Sequence, residues 1–145
     1  MNYKNILVAV DLSESSNLLI RKAISIARIS EAKISFVFVD LSQSLNNTAL
    51  SYDEYQFATI EPDLSLAEKH RQQLQDLADS VDYHIDNCFY LTGDIPQKLQ
   101  EEVKELGADL LVCGHHHHNF WTGFLSSLPK IVNASITDVF IVQLE

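Results

Sequence analysis

The chain has 145 residues, 46% of them apolar, with only four glycines and three prolines, which describes one compact domain with a core of its own rather than a disordered segment. Twenty acidic against ten basic residues leave a formal charge of −10, a field that repels nucleic acid and anionic lipid, and the basic residues lie scattered with no patch to overcome it. No apolar run approaches the roughly 20 residues of a membrane span.

Ile6-Leu-Val-Ala-Val10 is a continuous apolar run of strand length, too short for a signal peptide and closed by Asp11. Ser13 is the expected N-cap of a first helix whose apolar stripe is Leu19, Ala23, Ile26 and Ala27, with Ile20 and Ile24 beside it. Ser15 and Ser16 read as ordinary residues of a helix start. A second strand covers Lys33 to Val39 and ends at another aspartate, Asp40. Residues 41–62 are rich in Ser, Asn, Thr and Tyr and read as one long irregular segment.

Leu66, Ala67, His70, Leu74, Leu77 and Val81 give a second helix an inner face over about 64–80, with His70 read as a core-edge histidine rather than a base. Tyr83, Ile85, Asn87 and Phe89 alternate with His84, Asp86, Cys88 and Tyr90, which predicts a strand ending near Thr92. Gly93-Asp-Ile-Pro96 turns the chain into a third helix, with proline where a missing amide hydrogen costs nothing, and Gly107 is its expected stop. Leu110 to Cys113 reads as a strand buried on both faces and ended by Gly114. Four histidines follow, His115 to His118, before Phe120, Trp121, Phe124, Leu125 and Leu128 resume helical spacing. Thr137 to Leu144 is the last strand. Cys88 and Cys113 both sit in strand-like runs and are expected to be reduced.

Alternating strands and helices imply an α/β fold, a doubly wound five-stranded parallel sheet with helices on both faces. Periodicity leaves two strand orders open. In the order 3-2-1-4-5 the winding reverses between the first and fourth strands, so Asp11 and Gly114 would face one crevice, where such folds take ligands. Within the fourth unit, adjacent histidines rarely converge on one ion, so His115, His116, His117 and His118 are candidates for a metal only as a minor reading. No catalytic set is defensible from spacing alone. Val139-Phe-Ile-Val142 is apolar yet belongs at a sheet edge, where pairing with the same strand of a second copy would satisfy it.

Tyr3-Lys-Asn-Ile-Leu-Val-Ala-Val-Asp-Leu-Ser13, Gly93-Asp94, Asp109-Leu-Leu-Val-Cys-Gly-His-His116, Phe120-Trp121, Ser126-Ser127 and Asp138-Val-Phe-Ile-Val-Gln-Leu144 together resemble the universal stress protein family, in its universal stress protein A branch. The resemblance spans nearly the whole chain. It implies the 3-2-1-4-5 sheet, a homodimer through the last strands, and a cytoplasmic role in resistance to starvation and other stresses through as yet unidentified protein partners or phosphorylation on Ser or Thr. Part of that family binds ATP through Gly-x2-Gly-x9-Gly-[Ser/Thr]. Here Gly114 stands first, but His117 takes the second glycine's place and Ser127, or Ser126 with a one-residue shift, the third; Gly123 is wrongly spaced. Side chains then occupy the room that backbone amides need to approach phosphates. No cofactor is expected. The alternative is an ATP- or AMP-binding switch, or weak ATPase, using Asp11, Asp40, Gly114, Ser126 and Ser127.

Overall fold

The structure is a computed structural model and describes residues 2–40, 64–115, 129–133 and 135–144. Strands β1 (Asn5–Ala9), β2 (Lys33–Asp40), β3 (Ile85–Thr92), β4 (Leu110–His115) and β5 (Asp138–Gln143) alternate with helices α1 (Ser16–Ser30), α2 (Leu64–Ser80) and α3 (Ile95–Leu106), and a further helical stretch covers 129–133. The sheet is parallel throughout, in the order β3-β2-β1-β4-β5.

The central strands are apolar at most of their positions because both faces are covered. On one face Ile6, Val8, Ile34, Phe36 and Val112 pack under α1 and α2; on the other Leu7, Val37 and Leu111 pack under α3 and Ile131. Asp109 joins the starts of β1 and β4: its carboxylate accepts from the amides of Lys4 (2.8 Å) and Asn5 (3.0 Å), and Asn5 Nδ2 donates to the Leu106 carbonyl (2.9 Å). Tyr3 reaches β5 in the same way, donating its hydroxyl to Asp138 (2.9 Å).

Helix α3 begins and ends on recognisable chemistry. Asp94 caps it by accepting from the Gln97 amide (3.1 Å), Pro96 sits in the first turn, and Gly107 stops it at φ +70°, a conformation glycine reaches without a Cβ clash.

Three boundaries differ from expectation. The first residue before α1 is Ser15, which makes no side-chain cap bond, and Ser13 instead donates to Asp11. Gly114 lies inside β4, pairing with Val142, and the strand continues to His115. Along β3 the ladder slips: Ile34 pairs with Ile85 but Ser35 with Asn87, leaving Asp86 as an extra residue. Beyond that bulge the faces exchange, so Ile85 shares its side with Cys88 and Tyr90, and not with Phe89.

Candidate functional site

Because β1 lies between β2 and β4, the winding reverses between β1 and β4, and the carboxyl ends of β1, β2 and β4 deliver Asp11, Asp40 and Gly114-His115 to one edge of the sheet. Asp11 is occupied with local structure. Its Oδ1 accepts from the Ser13 amide (2.9 Å), the Ser13 hydroxyl (2.6 Å) and the Ser16 hydroxyl (2.8 Å), while its own amide donates to Ser16 Oγ (3.1 Å). Between them Leu12 is held at φ +64°, a left-handed conformation costing a side-chain-bearing residue about 1–2 kcal/mol, which the carboxylate's bonds offset. Asp11 thus aims the chain out of β1 and into α1.

Beside it, Ala9, Asp11, Val37, Val39, Ile95 and Leu99 enclose a cavity of about 10 Å³. That is room for roughly one water, against the hundreds of cubic ångströms of an ordinary small-molecule site.

Gly114 faces the α1 side of the sheet, where the Leu144 side chain lies against its α-carbon. A Cβ built on Gly114 would stand 2.4 Å from Leu144 Cδ1 and 3.2 Å from Cγ. The glycine here serves close packing with the end of β5, which the Leu144 amide also ties to β4 by donating to the His115 carbonyl (2.9 Å). Gly114→Ala is accordingly expected to destabilise the fold by about 1–3 kcal/mol, the usual range for overpacking. Adding Leu144→Ala should restore most of that loss in urea melts; a harmless Gly114→Ala would contradict this packing.

Asp40 is 3% exposed and faces α2. Its Oδ2 accepts the Tyr90 hydroxyl of β3 (2.5 Å) and lies 3.1 Å from His70 Nδ1 on α2. Phe38 meets the His70 ring edge-on at 5.5 Å, and the Arg71 guanidinium stands over the Tyr90 ring at 5.1 Å. Burial, and then the bond to Asp40, push the Tyr90 hydroxyl well above the usual tyrosine range. The alternation reading of β3 could not pair Tyr90 with Asp40, and His70 looked like part of an apolar stripe. The one available signal was an aspartate and a histidine both placed at otherwise inward positions.

One family model, described as the universal stress protein family, matches residues 2–143. The chain belongs to the universal stress protein family. It is 38% identical over 142 residues to the universal stress protein A homolog of Haemophilus influenzae, covering 98% of this chain and 97% of that one. It is also 38% identical over 144 residues to universal stress protein A of Photorhabdus laumondii, covering 99% and 97% respectively. Among solved structures, a universal stress protein in complex with cAMP superposes with a TM-score of 0.62 over 100% of both chains at 23% identity, a likeness of fold. The 3-2-1-4-5 sheet is thus the family's.

In this universal stress protein, His115 Nδ1 lies 3.1 Å from Gln143 Oε1 across the β4–β5 pair. His116, His117, His118, Ser126 and Ser127 lie outside the described residues. No group of three or more His, Cys, Asp or Glu side chains is placed to hold a metal among the described residues, and no described helix is long and apolar enough to cross a membrane. Val139, Phe140 and Ile141 are half-buried on the edge strand, whereas Val142 is 2% exposed and packs into the core.

Proposed function

We propose that this protein is a cytoplasmic stress-response protein that supports resistance to starvation and related stresses without catalysis, as a homodimer that does not hold ATP tightly. The observation carrying the nucleotide part is the filled space at the carboxyl edge. Leu144 covers the only glycine retained from the phosphate-binding pattern, and the neighbouring cavity is about 10 Å³. Asp11, at that edge, has its Oδ1 engaged by three donors. A triphosphate at Gly114 would have to displace the Leu144 side chain, and the sequence keeps only the first glycine of the phosphate-binding pattern.

The dimer rests on β5. One side of the strand pairs with β4; the other ends the sheet, an apolar ladder with no further strand beside it among the described residues, which invites a second strand. Ile136, 67% exposed, and Val132, 49% exposed, precede that strand in the chain. An antiparallel β5–β5 pair around a two-fold axis buries this band, with Val139, Phe140 and Ile141 contributing side chains and Val142 its backbone.

The second reading, a nucleotide-binding switch on the same edge, draws on the cAMP complex of a protein sharing this fold. The two separate in thermal melts with and without Mg-ATP, with mass measured by light scattering on the same sample. A nucleotide at about a hundredfold excess over its Kd would add about 2.7 kcal/mol and raise the melting temperature visibly. The expected result is an unchanged melt at the mass of a dimer. A clear upward shift removes the nucleotide part of the proposal, and a monomeric mass removes the dimer.

A further inference from the structure

On an otherwise acidic chain, α1 carries Arg21, Lys22 and Arg28 and no acidic residue, three of the ten basic side chains in the sequence. Two of them line a groove of about 460 Å³ between α1 and the carboxyl end of α2. That volume falls within the range of small-molecule sites. Its apolar lining comes from Ile20, Ile24 and Val81, and Arg21 and Arg28 line it too, seven residues and so about 10 Å apart along the helix axis.

The two arginines differ in their commitments. Arg28 donates to the Asp82 carbonyl (2.5 Å) and lies 3.3 Å from its carboxylate, with its guanidinium 5.7 Å from the centre of the Tyr83 ring. It is a fixed wall. No hydrogen bond or ion pair engages the Arg21 guanidinium among the described residues, although it borders the same apolar surface. The groove therefore offers one uncommitted planar cation beside an apolar trough, and its one acid, Asp82, is already turned to Arg28.

From this juxtaposition we infer that the α1–α2 groove binds a small amphipathic carboxylate, a medium-length acyl chain with a single anionic head. The head pairs with Arg21, whose forked donors match a carboxylate's two oxygens, and the chain lies along Ile24 and Val81 towards Arg28. The charge of α1 supplies selectivity for an anion locally, against the field of a molecule whose net charge is −10. The site is separate from the carboxyl edge of the sheet, so it stands or falls independently of the nucleotide reading.

The test is titration of the full chain with sodium decanoate below its micellar concentration, followed by backbone amide shifts and calorimetry. Shifts are expected at residues 17–28 and 80–82 and not at Ala9–Asp11. Arg21→Gln, an exposed substitution, should weaken binding roughly tenfold. Arg21→Lys should retain part of the affinity. Uncharged 1-decanol should bind roughly tenfold more weakly than decanoate, and hexanoate, four methylenes shorter, at least a hundredfold more weakly. Shifts confined to the strand ends, equal binding of decanol and decanoate, or an unaltered affinity in Arg21→Gln would each overturn the inference, as would no binding at all.

Discussion

Raising the pH from 9 to 12 is expected to strip about 3 kcal/mol of stability from this protein through a single thiol, Cys113. Cys113 sits in β4 with 0% of its surface exposed, and burial alone pushes its pKa from 9.0 to about 12. The folded state therefore keeps the proton while the unfolded chain gives it up near pH 9. Stability from this group is complete below the unfolded value and declines as pH rises through the folded one, by up to about 1.4 kcal/mol per unit midway between them. Tyr90 acts in the same direction from about pH 10 upward, since burial and the Asp40 bond hold its proton too. Urea unfolding across this range should show a steep loss in the wild type. Cys113→Ala starts lower, for want of the sulfur's packing, but should lose much less over the same interval. Parallel profiles for the two proteins would mean that the thiol is not shielded in the folded state.

How far the chain could be read before its structure depended on whether the signal was local. The apolar runs of β1, β2 and β4 are local, as are Pro96 and Gly107 at the ends of α3, and those elements appear where spacing places them. Strand order is not local. Apolar strands look alike, and the order was supplied by resemblance, with the β1–β4 adjacency now visible in the Ile6–Leu110, Leu7–Leu111 and Val8–Val112 pairs. The bulge at Asp86 is also invisible to periodicity, because one inserted residue exchanges every face after it. Gly114 shows a third kind of failure. A glycine closing an apolar run reads as a turn, but its reason lies 30 residues away, in the Leu144 methyl resting on its α-carbon. Ser13 and Ser16 were legible as belonging to the entry of α1, yet their donation to Asp11 is decided by the left-handed turn at Leu12.

Asp40→Ala is expected to cost about 3 kcal/mol, the range for breaking a buried polar network by removing its acceptor. Phe38 pairs across the ladder with Tyr90, so Asp40, two residues further along β2, is Tyr90's diagonal neighbour on the same face, and α2 brings His70 down onto both. The carboxylate thereby joins three elements at the outer side of the sheet. Without it, the Tyr90 hydroxyl and the His70 ring nitrogen lose a partner that water replaces poorly at a site 3% exposed. Tyr90→Phe removes one donor and leaves His70 in place, so its cost should be smaller, about 1.5 kcal/mol. The two changes act on one bond, and the double variant should therefore cost less than their sum, by roughly 1 kcal/mol in urea melts. Strict additivity would show that Tyr90 and Asp40 stabilise the fold separately. A coupled loss, with the β3 and α2 amides exchanging faster while those of β1 and β4 stay protected, would place the effect at the junction these residues form.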